Sequence, residues 1–455
     1  MKKSLYFLFT LFFCSLYAEE EIYVRLAGDV NLLPIYLSPI QAEETQIPAA
    51  TQQEIRSVLA FDLDHNGMTH VLSAKECAKK SLAGQEVFDN TPAFNKLKDE
   101  ELLYLIKLKL KGTELITKVI SVNSQIAHTI DGVKLSGDVA KDRAKIHSLA
   151  DAIHQLLFGK KGVASCRILF TVKKKVERAN QGTIWVSEVF ESDYDGFNAK
   201  QISHDGSYTA NPQYIPTQNG QKSSEIMYVS YKIGQPKLYS LPLAGGTPRR
   251  MSPLKGNQVT PSLNKNATMI AFSCDTTGKA DIFVQPLAQS GQAAGKPRQV
   301  FAAKGAANAS PTFSPDGTKI AFVSNKDGSP KIYLMTIPQP GAQLSDVKVS
   351  LISKRCRENS APSWSPDGKK LAYCAKSTDA RQIWVYDFET NQERELTQGP
   401  KIKENPTWAP NSLHLLFNAT DDSGTELYLI NINQPEAVRI TSGTGAKMFP
   451  CWEPK

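Results

Sequence analysis

The sequence predicts a small α/β N-terminal domain followed by an all-β six-bladed β-propeller of WD40-like repeats, closed by its C-terminal strand. Three observations predict this. A proline-anchored phrase recurs at the period of a propeller blade, short strands separated by Pro and Gly turns fill each period, and the chain ends on a first strand with nothing after it.

The repeat is clearest where Ser310-Pro311-Thr312-Phe313-Ser314-Pro315-Asp316-Gly317 recurs as Ala361-Pro362-Ser363-Trp364-Ser365-Pro366-Asp367-Gly368. Weaker copies begin at Asn211, Thr260 and Asn405, and a truncated one starts at Phe449. The anchors Pro212, Pro261, Pro311, Pro362, Pro406 and Pro450 are spaced by 49, 50, 51, 44 and 44 residues, matching the ~40–50 residues of one four-stranded blade. In each copy a short strand runs into a Ser-Pro-Asp-Gly turn, where Pro presets φ, Asp bonds nearby backbone and Gly takes the left-handed conformation. Apolar second strands follow at 320–324, 371–375 and 415–419, third strands at 332–335, 383–386 and 427–430, and outer strands ending in Arg-x-Leu/Ile-Thr type sequences at 394–397 and 439–441. Segments 167–170, 184–190 and 200–203 supply second, third and fourth strands without a first, so residues 449–452 complete that blade and latch the ring. Blade two has Tyr214-Ile215-Pro216-Thr217 and blade three Asn264-Lys265-Asn266-Ala267 where the turn motif is expected, which predicts intact blades with altered loops.

Three domain spans follow: 1–18, 19–162 and 163–455. In the first, Lys2 and Lys3 precede an apolar run from Leu5 to Tyr17, and Ala18 is followed by Glu19, Glu20 and Glu21. This is the order of a secretory signal peptide cleaved near Ala18, and predicts export to the periplasm. Cys14 is not read as a lipidation site, because Phe13 stands where a small residue is needed. In the second span Ile22, Val24 and Leu26 alternate as a strand, Thr51 with Glu54 and Ser73 with Glu76 form capping boxes, and Ile55, Val58 and Leu59 share a helical face. Residues 103–122 form a hairpin turning near Gly112, with Leu108 and Leu110 alternating against Lys107, Lys109 and Lys111. Ile146, Leu149, Ile153 and Leu157 stripe a helix over 141–158 that Gly159 caps.

Removal of Lys2 and Lys3 takes the formal charge from +8 to +6 over the whole chain. Without a dense basic block, this excludes nucleic acid as the main partner, and Lys173-Lys174-Lys175 is read as a solvated loop end. Seven cysteines become six on loss of Cys14, none at CxxC spacing; Cys166 and Cys451 flank the ring seam with Cys451 set opposite Arg167, one residue out of register for a bridge, and Cys274 and Cys374 are read as buried and free. Asp62-x-Asp64-x-Asn66-Gly67 matches half of a calcium loop, but Ser73 stands where the bidentate Glu belongs. His147, Asp151 and His154 share one side of a helix but lack a further ligand for zinc. No Gly-x-Ser-x-Gly elbow occurs, and the paired Asp316 and Asp367 are explained by their turns. The expectation is a non-enzyme with no catalytic residues, no metal and no cofactor; the competing reading is a periplasmic propeller that binds or processes peptides or glycans.

The order of signal peptide, small α/β domain and C-terminally closed propeller resembles the TolB family of the periplasmic Tol–Pal system. The residues that carry the resemblance are Ser192-Asp193-Tyr194-Asp195-Gly196-Phe197-Asn198, the Ser-Pro-Asp-Gly blades, the ending Lys447-Met448-Phe449-Pro450-Cys451-Trp452 and the start Glu21-Ile22-Tyr23-Val24-Arg25-Leu26. It implies an adaptor whose propeller binds the peptidoglycan-associated lipoprotein Pal and whose mature N-terminal strand, Glu21, Ile22, Tyr23 and Val24 here, binds the inner-membrane protein TolA. Such a protein supports outer-membrane integrity and the inward movement of that membrane at cell division. The propeller's axial mouth is rimmed by the segments entering each first strand. The candidate partner-binding residues there are Gln258, Asn308, Ser310, Arg357, Glu358, Asn359, Glu404, Asn405 and Lys447.

Overall fold

The structure, a computed structural model, describes residues 32–454 apart from 81, 83, 179–181, 218–221, 289–292 and 377–379. The expected leader and the strand over Ile22, Val24 and Leu26 lie outside the described residues.

In the N-terminal domain a five-stranded sheet of order β2-β1-β3-β4-β5 is built from β1 (Leu33–Glu43), β2 (Thr69–Val71), β3 (Tyr104–Lys111), β4 (Glu114–Ser121) and β5 (Ile126–Lys134). The long helices α1 (Ala49–Asp64) and α4 (Val139–Phe158) pack on one face through Ile55, Leu59, Ile146, Leu149 and Ile153. The short helices α2 (Ala74–Lys79) and α3 (Phe94–Asp99) belong to the other side, where Leu97 joins Leu105 and Ile120. Ser73 and Glu76 form the expected capping box, and Gly159 takes φ 65° at the end of α4. Thr51 does not cap α1: the helix begins two residues earlier, behind Pro48, because Ala49 and Ala50 extend it. Lys107 does not face water either. Its side chain is buried, and its ammonium donates to the carbonyls of Val87 and Asn90 at 2.7 and 2.8 Å, drawing the 84–93 segment over the sheet.

Six four-stranded antiparallel sheets follow. Blades two to six begin with the first strands Thr209–Tyr214, Gln258–Leu263, Asn308–Phe313, Glu358–Trp364 and Ile402–Trp408. The composite blade one pairs Ala446–Trp452 with β6 (Arg167–Arg178), followed by β7 (Gly182–Asp193) and β8 (Lys200–Gln201). The middles of the second strands are buried between neighbouring blades, as Ile320, Ala321 and Phe322 show at 0% exposure. The outer strands end sooner than expected, at Glu395 and Arg439, and the following Thr397 and Thr441 turn back so that their hydroxyls accept from the amides of Ile383 and Leu427 at 2.9 and 2.8 Å.

The seam is polar as well as laddered. The Arg167 guanidinium reaches Glu453 at 2.6 Å and Glu191 at 2.8 Å, both carboxylates being buried. Cys451 stands opposite Leu169 rather than Arg167, because a bulge between Met448 and Cys451 shifts the register. Cys274, Cys374 and Cys451 are free thiols, and of these Cys451 alone is not fully buried; Cys166 is buried.

Candidate functional site: the axial channel and its mouth

Each first strand carries the same local distortion. Asn211, Thr260, Ser310, Ala361, Asn405 and Phe449, the residues before the six anchor prolines, all have φ between 48° and 55°. The paired register slips there in every blade, as between Ala309 and Thr312. Proline lacks an N–H, so the bulge forfeits no ladder bond at that residue, and a left-handed residue before it bends the strand. All six prolines thereby line one axial channel of about 420 Å³. Non-glycine residues in this conformation are strained by ~1 kcal/mol or more each, and the closed ring holds them.

At the far end of each first strand lie the turns. Ser314 Oγ bonds Asp316 at 2.5 Å, Asp316 accepts from Thr318 N at 3.0 Å, and Gly317 has φ 71°. Blade three keeps this turn without the motif. Asn264 Oδ1 accepts from the amides of Thr268 and Met269, and Ala267 takes the glycine position at φ 51°.

The candidate rim residues fall into two groups, and nearly all sit in the first strands themselves rather than in loops; Arg357 alone precedes its strand. Gln258, Asn308, Asn359 and Lys447 are buried at 0, 0, 2 and 5% exposure. Their donor groups are engaged at blade seams: Gln258 Nε2 donates to Leu254 O at 2.7 Å, Asn308 Nδ2 to Asp281 at 3.1 Å, Asn359 Nδ2 to Cys356 O at 3.0 Å and Lys447 Nζ to Glu426 at 3.0 Å. The second group is accessible. Arg357 is exposed, Glu358, Ser310, Glu404 and Asn405 are half-buried, and Ser310 and Asn405 line the channel. Arg381 lies between Glu358 at 3.8 Å and Glu404 at 3.5 Å, so two blades share a charged triad at the mouth. Glu21, Ile22, Tyr23 and Val24 lie outside the described residues.

Sequence reasoning missed a third component. The lysines 173–175 are on a strand, not at a loop end. β6 and β7 run 12 residues each against 6 to 8 for the other second and third strands, so their ends rise past the ring as a two-stranded ribbon. Pairing with the closing strand stops at Lys173. Trp185 is 55% exposed there, with the Lys173 and Lys175 ammonium groups 4.8 and 5.3 Å from its ring. Lys173 also approaches Tyr208, which meets Tyr231 edge-on at 5.5 Å, and both tyrosines line the channel. The signal was present in the length of the segment between the strand start and Ser192, and in its alternation of Lys with an exposed aromatic.

At the opposite end of the ring the N-terminal domain packs on blades one and six. The Ser192–Asn198 phrase forms the turn between β7 and β8. Gly196 has φ 85°, and a Cβ there would run into the carbonyl oxygen of Ile440. Tyr194 and Asp195 on this turn enter the N-terminal domain, where Tyr194 donates to Asp62 at 2.8 Å and Asp195 pairs with Arg143. Asp151 is engaged in holding the domain junction, accepting from Ala164 N at 2.8 Å and Ser165 Oγ at 2.5 Å. Asp64 accepts from Val71 N at 2.8 Å and Asn66 Oδ1 from Met68 N at 2.8 Å, which accounts for the half calcium loop as a turn.

Comparison with known proteins agrees with this architecture. A family model described as the TolB beta propeller domain matches residues 154–455. A Protein TolB homolog from Protochlamydia amoebophila is 47% identical over 394 residues, spanning 87% of this chain and 83% of that protein. One from Chlamydia caviae is 36% identical over 86% of this chain and 83% of its own length. The crystal structure of TolB from Acinetobacter baumannii superposes with a TM-score of 0.72 at 20% identity, covering 93% of this chain and 97% of that one, and so shares the fold. With the family model spanning the whole ring and close relatives spanning most of the chain, this protein belongs to the TolB family.

Proposed function

We propose that the protein is a non-enzymatic periplasmic adaptor of the Tol–Pal system, which binds the lipoprotein Pal at the channel mouth and TolA through the segment Glu21, Ile22, Tyr23 and Val24. In this role it supports outer-membrane integrity and the invagination of that membrane during cell division. The observation that carries the reading is the mouth itself. A rigid ring presents an accessible charged triad at Glu358, Arg381 and Glu404 on one side. On another side the Trp185 ribbon, framed by lysines, offers a large exposed aromatic, the residue type that anchors protein interfaces.

Co-purification of the tagged mature protein from envelope extracts tests both halves. The intact protein is expected to bring down Pal and TolA. Reversal of charge at Arg357 and Glu404 is expected to remove Pal alone, and deletion of 21–24 to remove TolA alone. Retention of both partners by both variants would refute the assignment of the sites.

A further inference from the structure

Two motifs that the sequence offered separately, the acidic end of α1 and the histidine side of α4, meet the propeller in one buried cluster. His147 Nδ1 lies 2.7 Å from Asp62 Oδ2, and its Nε2 lies 3.6 Å from Asp195 Oδ2. The side chains are 2, 0 and 3% exposed, in the order His147, Asp62, Asp195. Tyr194 OH takes the other oxygen of Asp62, Arg143 holds Asp195, and Asp193 lies on the same turn. His147 Nε2 has no hydrogen-bond partner although it is buried.

We infer that His147 acts as a proton-linked clasp between the domains: doubly protonated, its ring bridges Asp62 of α1 to Asp195 of the propeller. The charges require it. Two buried carboxylates, Asp62 and Asp195, and the half-buried Asp193 face one guanidinium, Arg143, so with all three ionised a neutral ring leaves the cluster with two uncompensated negative charges. A charged ring leaves one. A protonated Nε2 also becomes a second donor aimed at Asp195, which supplies the missing partner. Burial opposes charging the ring, but the hydrogen bond and charge of Asp62 and the charges of Asp195 and Asp193 outweigh it, and His147 is raised above its ordinary value.

The sign follows. A group whose folded-state value is raised contributes fully below its unfolded value and loses that contribution as pH climbs through the folded one. Domain docking is therefore tight below pH 6.5 and slackens as pH climbs through the raised folded-state value. A divalent cation is the competing occupant, because Asp62, His147 and Asp195 bring ligand atoms within 4.8 Å of one another. The Arg143 guanidinium on Asp195 would face that cation directly, which favours the proton.

The test uses the mature protein with ring-15N-labelled histidine. The His147 resonances are expected to show both nitrogens protonated at pH 6 and a transition above 6.5. Hydrogen exchange in α4, corrected for its intrinsic pH dependence, is expected to quicken several-fold from pH 6 to 8.5. His147→Gln should lose that pH dependence, and Asp195→Asn, which keeps the side-chain volume, should move the His147 transition downward. A single neutral tautomer throughout, or an Asp195→Asn titration identical to the parent, would overturn the clasp. So would stoichiometric zinc in the purified protein whose removal by chelator loosens α4.

Discussion

The propeller and the N-terminal domain are held together by different kinds of contact, and the difference decides what each exposes. In the propeller, each bond type recurs at the blade period. The bulge before proline, the turn at the strand end and the polar residue at the blade seam appear in blade after blade, as Gln258, Asn308, Asn359 and Lys447 show at one equivalent position. The loss of one such element is shared by a closed ring. The N-terminal domain has no repeat, and its attachment relies on single residues such as Tyr194, Asp195 and Gly196. The repeated region can therefore offer its rim to partners without weakening its core, whereas the unrepeated interface is where one side chain controls the fit between domains.

The strongest challenge to this comparison is to break the ring where it does not repeat. Deletion of 448–455 removes most of the closing strand and Glu453, and is expected to abolish cooperative unfolding; an unchanged melting temperature would refute closure by this strand. Next in size, Arg167→Ala leaves the buried carboxylate of Glu453 without its cation and Glu191 with Lys200 alone, and should cost about 3 kcal/mol in denaturant titration, as breaking a buried pair does. Gly196→Ala meets the Ile440 carbonyl in a left-handed backbone, for about 2 kcal/mol. Its damage should appear as faster exchange in α1 and α4 while blades two to five keep their protection. The smallest effect belongs to a repeated element: Asp316→Ala removes one turn's bonds to Ser314 and Thr318 and should cost about 1 kcal/mol, leaving the other five blades unperturbed.

The same distinction governs how much was legible beforehand. The six blades, the composite one included, could be counted from prolines because a period of 44 to 51 residues needs only local chemistry to be seen. Helix α4 was legible from its apolar stripe and terminal glycine. The burial of Lys107 was not, since it depends on a distant segment folding over the sheet to offer two carbonyls. Asp62 and His147 were visible as separate, unconvincing motifs, because their meaning arises only when Asp195 arrives from the propeller. At the mouth, the position of the rim was legible but the direction of its side chains was not. Adjacent strand positions face opposite ways, so Gln258 and Asn308, three residues before their prolines, turn into the seams, whereas Glu404, two before its proline, and Arg357, ahead of its strand, remain accessible.

The most direct test of the account is a titration of soluble Pal against purified mature protein altered at opposite ends of the ring. The variant carrying Glu404→Lys with Trp185→Ala is compared with Asp367→Asn, which lies in a turn beyond the far end of a first strand. Loss of two mouth contacts predicts at least about a tenfold weaker affinity for the first variant, with its melting temperature preserved, and no change for the second. Equal affinities for both variants and the parent would contradict the assignment of the channel mouth as the docking surface.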